Sequence, residues 1–371
     1  MERDQHTLTI AFCMFALMFP AGCGGAVLTP PSAPGSTVTT AESYSQQAAQ
    51  GVATLQSWYS QGSGLYASPT GWWNAANAVT VLGDYEQVTG STAYNSVLTD
   101  TFAAAQGSHA NFVNTYYDDD GWWALAWIEA YDVTGNASYL TMAETIFSAI
   151  GGGWDSTCGG GVWWNTSRTY KNAIPNELFL TIAAKLANRT TGAASTTYLN
   201  WAQQEWTWFK GSGMINAQSL INDGLTSTNP NACTNNGAAT WTYNQGVILG
   251  GLVELYKADK DQTLLPQAEA IANAAIANLG KTGILVEPAA ISGGDNPQFK
   301  GIFMRNLMAL YAVDPNGQYK TFADANAASI VANDQGPNAK FGGYWQGPFD
   351  SGDATRQTSA LDALIAAAAM Q

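Results

Sequence analysis

Ala354-Thr355-Arg356-Gln357-Thr358-Ser359-Ala360-Leu361-Asp362-Ala363-Leu364-Ile365-Ala366-Ala367-Ala368-Ala369-Met370 reads as one helix without a water-facing side. From Ala360 onward every position except Asp362 is apolar, and Ala, Leu and Met are strong helix formers. A helix that is apolar all round is enclosed by other structure. An open stack of helical hairpins would instead end on a repeat with a polar outer face. The last helix therefore points to a closed ring.

The rest of the chain supplies the members of that ring. Short turns at Val88-Thr89-Gly90-Ser91, Val133-Thr134-Gly135-Asn136, Arg189-Thr190-Thr191-Gly192, Ala258-Asp259-Lys260-Asp261 and Val313-Asp314-Pro315-Asn316 each separate two amphipathic segments. The Gly, Asp or Pro in each turn stops one helix and lets the next begin. Tyr94, Tyr139, Tyr198 and Tyr319 follow four of these turns as anchors of the outgoing helix. The unit recurs at intervals of roughly 45 to 70 residues, an internal repeat of helical hairpins.

Twelve helices are predicted, over 41–60, 73–88, 92–106, 120–133, 137–150, 175–189, 195–210, 242–258, 262–279, 298–313, 317–333 and 354–370. No alternating β-branched run suggests a sheet. Five hairpins, with the first and last helices closing on each other, make an all-α (α/α)6 barrel.

The connections alternate in length. The long ones lie near 61–72, 107–119, 151–174, 211–241, 280–297 and 334–353, and structureless loops above about 12–15 residues are usually functional. They carry Trp72-Trp73, Asp118-Asp119, the glycine run from Gly151 to Trp164, Asp223, Thr242-Tyr243-Asn244-Gln245, Phe299-Lys300 and Phe349-Asp350, or lead into them. If the even-numbered helices form the inner ring, their N-termini surround one cleft.

Composition narrows the function. The chain has 371 residues and a formal net charge of −14, which disfavours nucleic acid and anionic membranes as partners. Charged residues are only 11%, against 14 Trp, 16 Tyr and 13 Phe, a balance suited to stacking on neutral sugar faces, although most of these rings serve the core. An apolar run from Leu8 to Phe19 behind Arg3, followed by Ala21-Gly22, reads as a signal peptide over 1–22. Cys23 then resembles the lipidated cysteine of a bacterial lipobox. Pro20 departs from the usual aliphatic residue, so ordinary cleavage and release stands beside that reading. Residues 23–40, rich in Pro, Ser, Thr and Gly, form a tether before a domain at 41–371. The expected location is secreted or cell-surface and periplasmic, as a monomer, with membrane contact only through a lipid on Cys23. Cys158 and Cys233 remain as a pair that could bridge two long loops in an oxidising compartment.

Elimination leaves carboxylate chemistry. The histidines are His6, in the signal, and His109, with no Gly-x-Ser-x-Gly nucleophile signature. Metal-ligand spacing, a phosphate-binding glycine loop and a dinucleotide fingerprint are all missing, so no cofactor and no metal is expected. Asp118-Asp119-Asp120 lacks the alternating ligands of a calcium loop. Acidic first turns commonly just cap helices. Yet two adjacent carboxyls in unequal environments can divide into a nucleophile and a proton donor, as glycoside hydrolysis requires. Helix N–H groups would favour charge on Asp118, and an aromatic wall would keep Asp119 protonated. Because helical neighbours diverge, at least Asp118 is expected outside regular helix geometry.

Tyr116-Tyr117-Asp118-Asp119, Trp122-Trp123, Trp127 and Ala130-Tyr131-Asp132 together resemble the signature of glycoside hydrolase family 76, the α-1,6-mannanases. Tyr170-Lys171-Asn172-Ala173-Ile174-Pro175-Asn176-Glu177, Trp241-Thr242-Tyr243-Asn244-Gln245-Gly246, Phe299-Lys300-Gly301-Ile302-Phe303 and Gly347-Pro348-Phe349-Asp350 extend the similarity across residues 42–371. The resemblance implies an (α/α)6 fold and a retaining endo-α-1,6-mannanase acting on mannan. It makes Asp118 the nucleophile, Asp119 the acid/base and Asp223 a carboxylate touching the sugar. Tyr243, Asn244 and Gln245 could bond mannose hydroxyls, with Trp72, Trp122 and Phe349 as further substrate contacts. Plainer readings stand beside these: Asp223 as a turn residue before Gly224, Asn244 as a cap, and one Trp of each pair as core. Glu177 and Arg305 could form a structural ion pair. A mannan transglycosidase and a non-catalytic surface glycan-binding protein are the alternative functions, the second opposed by the presence of both Asp118 and Asp119.

Overall fold

The computed structural model describes residues 41–226 and 233–371. The expected signal peptide and tether, residues 1–40 including Cys23, lie outside the described residues. The described residues form twelve α-helices: α1 Ala41–Leu55, α2 Trp72–Thr89, α3 Asn95–Ala104, α4 Tyr117–Thr134, α5 Ala137–Gly151, α6 Ala173–Arg189, α7 Gly192–Gly211, α8 Thr242–Asp259, α9 Leu264–Leu279, α10 Phe299–Val313, α11 Gly317–Asn333 and α12 Ala354–Ala369.

The even-numbered helices pack in sequence, α2 on α4, α4 on α6, α6 on α8, α8 on α10 and α10 on α12, and α12 returns to α2. That closes the inner ring. Outside it, α1 and α11 lie on α12, α5 on α4, α7 on α6 and α9 on α8. The architecture is an (α/α)6 barrel. All residues from Leu361 to Ala367 of α12 are buried, as its all-round apolar sequence requires.

The short turns work through local chemistry. Gly90 and Gly135 adopt left-handed φ values of 71° and 69°, returning their N–H groups to Glu86 O and Tyr131 O. Lys260 takes the same conformation after α8 at φ 63°, without a glycine.

The structure departs from the sequence expectation in two places. Helix α1 stops at Leu55, and Tyr59–Ser60 (β1) then pairs with Leu65–Tyr66 (β2); Gly280–Lys281 (β3) pairs likewise with Ile284–Leu285 (β4). Two-residue strands are too short to leave an alternating pattern. Helix α4 starts at Tyr117, so Asp118 belongs to its first regular turn rather than to irregular chain before it. No helix of the described residues is long and apolar enough to cross a membrane.

Candidate active site

At the long-loop end, where the inner helices present their N-termini, lies a cleft of about 250 Å³. Its rings are Trp73, Trp122, Trp164, Tyr170, Tyr243 and Phe299, and its carboxyls Asp118, Asp223 and Asp295, with Asn172 beside them. Four of the rings close on one another. Trp73 lies 5.5 Å from Trp122, Trp122 6.4 Å from Tyr243, Tyr243 3.9 Å from Phe299 and Phe299 6.0 Å from Trp73.

Successive residues on a helix point about 100° apart, and the Asp triplet uses that divergence. Asp120 turns back, accepting the Asn114 backbone N–H at 2.8 Å and closing the incoming loop on the helix. Asp119 accepts Asn114 Nδ2 at 2.7 Å, while Asn114 Oδ1 accepts the Tyr116 N–H. Asp118 faces the cleft and accepts Trp164 Nε1 at 3.1 Å. None of the three caps α4; Asp120 instead fastens the preceding loop, and its two predecessors have separate partners.

Burial holds both carboxyls above the usual range. Asp118 is pushed well up by desolvation and then by the nearby Asp119, against the opposing Trp164 and backbone N–H donors. Asp119 is pushed up to about 6 by burial, with Asn114 opposing and Asp295 adding to the rise. The upward direction at Asp118 is set by its burial. This reverses the expectation from helix N–H groups alone, because desolvation outweighs them here. Asp119 does not line the cleft itself but stands next to Asp295, which does.

Asp223 enters from the loop before α8. Its carbonyl accepts the Ala173 N–H at the start of α6, and its Oδ2 accepts the Tyr170 hydroxyl at 2.7 Å. Asn236 Nδ2 donates to that hydroxyl at 2.9 Å. Burial raises the Asp223 pKa, with Tyr170 and Asn244 opposing. Gly224 is required by close approach rather than by a turn: a Cβ there would lie 2.4 Å from the Tyr170 hydroxyl and 2.9 Å from Asn172 Cα.

Several sequence-nominated residues lie elsewhere. Trp72 packs against Trp123 at 4.7 Å and His109 at 4.6 Å; its neighbour Trp73 takes the cleft position and donates Nε1 to Asp295. Trp122 and Tyr243 do line the cleft. Gln245 is fully buried as a clasp, accepting the Ile221 N–H and donating to Ile221 O and Trp241 O, so its amide is spent on holding the Asp223 loop. Asn244 is fully buried beside Asp223. Phe349 lies over Gly336, away from the cleft lining. Glu177 and Arg305 are not a pair: Arg305 reaches Asp362 at 3.5 Å and donates to Asn77. Sequence reasoning missed Trp164 and Asp295 as site residues. Trp164 stood in the glycine run, whereas Asp295 sits in Gly293-Gly294-Asp295-Asn296, which carries no signal.

The loop bearing Trp164 is tied down twice. Cys158 and Cys233 are joined by a disulfide, with Cα atoms 5.4 Å apart, linking it to the Asp223 loop. Lys171, 1% exposed, sends Nζ to Asp155 O and Oδ1, Thr157 O, Gly160 O and Gly161 O at 2.7–3.2 Å. Among the described residues no cluster of three His, Cys, Asp or Glu could hold a metal ion.

Comparison with known proteins agrees with this arrangement. The chain is 31% identical over 338 residues to the Saccharomyces cerevisiae protein named mannan endo-1,6-alpha-mannosidase DFG5, covering 81% of this chain and 71% of that one. Its fold matches the GH76A alpha-1,6-mannanase of Salegentibacter sp. HEL1_6, in an inactive variant with two consecutive aspartates changed to asparagine and alpha-1,6-mannotriose bound. The TM-score is 0.80 and the identity 21%, over 88% of this chain and all of that one. It also matches the Lin0763 protein of Listeria innocua, with TM-score 0.78 and 26% identity, over 88% of this chain and 97% of that one. Residues 40–371 match the family described as Glycosyl hydrolase family 76, and this chain, a glycoside hydrolase, belongs to it.

Proposed function

We propose that the protein is a retaining endo-α-1,6-mannanase that cuts mannan backbones through a glycosyl-enzyme intermediate. The observation that carries this reading is the pair Asp118 and Asp119 on one helical turn, each with its own side-chain donor, opposite Asp223 in an aromatic cleft. In the first step an Asp118 oxygen bonds to the anomeric carbon while Asp119 gives its proton to the departing glycosidic oxygen. In the second, Asp119 takes a proton from water as that water attacks the anomeric carbon and releases Asp118. Positive charge growing at the anomeric carbon favours ionised Asp118, and burial favours the protonated form of Asp119 that gives up its proton.

Asp223 and the Tyr243 hydroxyl are assigned to hydroxyls of the sugar at the cleaved bond, with Trp73, Trp122 and Phe299 as its apolar wall. The names of the yeast relative and of the Salegentibacter enzyme support the linkage and the sugar. The Cys158–Cys233 disulfide supports an oxidising compartment, and thus secretion or surface display. Lipidation at Cys23 would be tested by mass spectrometry of the cell-associated protein.

The test of function is digestion of linear α-1,6-mannan, followed by anomer-resolved NMR and product sizing. Short oligosaccharides released first as the α-anomer are expected. A first-formed β-anomer would exclude retention, products elongated beyond the substrate would indicate transglycosylation, and binding without new reducing ends would leave a glycan-binding protein.

A further inference from the structure

Glu177 lies in α6 with no exposed surface, and neither carboxyl oxygen has a hydrogen-bond partner among the described residues. An unpaired carboxylate in such a place is strongly disfavoured, so the group is held as the neutral acid. Burial pushes its pKa well up, and Asp223 pushes it further.

Its level in the barrel is fixed by its neighbours. Thr181, one turn along α6, donates to Glu177 O at 2.7 Å and also lies 3.3 Å from Val247 O of α8. Val247 is one turn beyond Tyr243 and Asn244, which puts Glu177 level with that pair and beneath the cleft floor. The helices are close here: a Cβ on Gly251 would meet Thr181 Oγ1 at 2.7 Å. Asn244 is also fully buried, it lies close enough to Asp223 to favour its charged form, and neither of its amide atoms has a hydrogen-bond partner among the described residues. A protonated acid and a primary amide are complementary. Across one bridging water, the acid O–H donates to the water and the water to the amide oxygen, which leaves an amide hydrogen for Asp223.

We propose that Glu177 is a positioning residue of the hydrolytic site: as a neutral carboxylic acid beneath the cleft it orients Asn244 through one bridging water, and thereby holds charged Asp223 toward the sugar. This rests on Asp223 being a sugar contact. The titratable groups that act on it are Asp223 from the loop and Tyr243 from α8, and Tyr243 in turn faces Asp118 and Tyr170; none of them is a cation. From the outer helices, Glu144 and Glu205 are engaged by Tyr198 and Trp154. Ionisation of Glu177 would remove the O–H donor and set a negative charge beneath Asp223, so it must depress activity at alkaline pH.

The test compares Glu177→Gln, Glu177→Leu and Asp223→Asn in pH–rate profiles on α-1,6-mannan, with thermal unfolding measured for each. Glu177→Gln keeps a neutral donor and acceptor. It is expected to retain kcat/KM within about twofold near neutral pH and to extend the alkaline limb upward. Glu177→Leu strands the amide and is expected to lose roughly ten- to hundredfold in kcat/KM. Should Leu unfold, the Gln profile alone decides. An alkaline limb identical to wild type in Glu177→Gln, or full activity in Glu177→Leu, overturns the proposal while leaving the site reading intact. Wild-type activity in Asp223→Asn overturns both.

Discussion

The two mouths of the barrel are built from the same six inner helices and treat charge in opposite ways. At the N-terminal mouth, Asp118, Asp119, Asp223 and Asp295 gather with no lysine or arginine in the cleft lining. At the C-terminal mouth, a cavity of about 320 Å³ is lined by Asp84, Glu129, Asp132 and Glu254 together with Lys185, Arg189, Lys257 and Arg305. Arg189 there bridges Asp132 at 2.5 Å and Glu254 at 3.0 Å, and Glu254 falls to about 2 despite its burial, because Lys185, Arg189 and Lys257 surround it. Carboxylates complement helix N-termini and cations helix C-termini, so the acids of the first mouth sit where helix ends favour them, whereas those of the second need the four cations beside them. The difference lies in pairing. The acids of the first mouth have no cation beside them, whereas Asp132 and Glu254 of the second share Arg189.

The largest expected effect comes from removing the proposed nucleophile. Asp118→Asn should lower kcat on mannan by at least about 10⁴-fold with thermal stability unchanged or raised, since a buried ionisable group goes with it. A loss below tenfold would end its assignment. Asp119→Ala should cost roughly 10²–10⁴-fold on mannan but far less on an aryl mannoside with a good leaving group, where azide should restore the second step. Rescue in Asp118→Asn instead would interchange the two roles.

At the other mouth the expected effect is on stability alone. Arg189→Met leaves Asp132 and Glu254 without their shared partner and should cost about 3 kcal/mol by denaturant unfolding, with KM unaltered. A changed KM at full stability would show the two ends to be coupled. A further expected effect is that of pH on unfolding. Asp120, Glu129, Glu287 and Asp334 are raised to about 7 and Glu205 to about 8, so between pH 8 and 5 the folded chain holds protons that the unfolded chain releases. Stability should therefore rise as pH falls through that window. Glu254 acts oppositely: its contribution is present above its unfolded pKa and lost as pH falls toward 2. Tm should peak at roughly pH 4.5–5.5, and a Tm climbing steadily from pH 5 to 8 would contradict the pKa directions.

What was legible in the sequence follows from the range of the forces involved. Gly90, Gly135 and the apolar run of α12 act within a turn or two of chain, so hairpins and closure could be read directly. Asp118, Asp223, Trp122 and Tyr243 carried chemistry in distinctive neighbourhoods. The choice between Trp72 and Trp73 depends on the rotational phase of α2, which is set by packing against α4 and α12. Gln245 and Asp295 depend on partners far along the chain, at Ile221 and Trp73. The start of α4 depends on Asn114 reaching Asp119 and Asp120, a side-chain closure that propensity does not encode.

The Lys171 cage has an environmental consequence. Secreted proteins often hold an irregular loop by gathering carbonyl and carboxylate oxygens around a calcium ion, which needs six to eight of them. Here an ammonium group borne by the chain gathers five such oxygens from the Asp155–Gly161 segment. A tethered cation cannot be diluted away or captured by acidic polysaccharide. The wall carrying Trp164 should thus keep its protease resistance in excess chelator and lose it in Lys171→Met, so that the enzyme can work in surroundings stripped of divalent ions without its loop loosening.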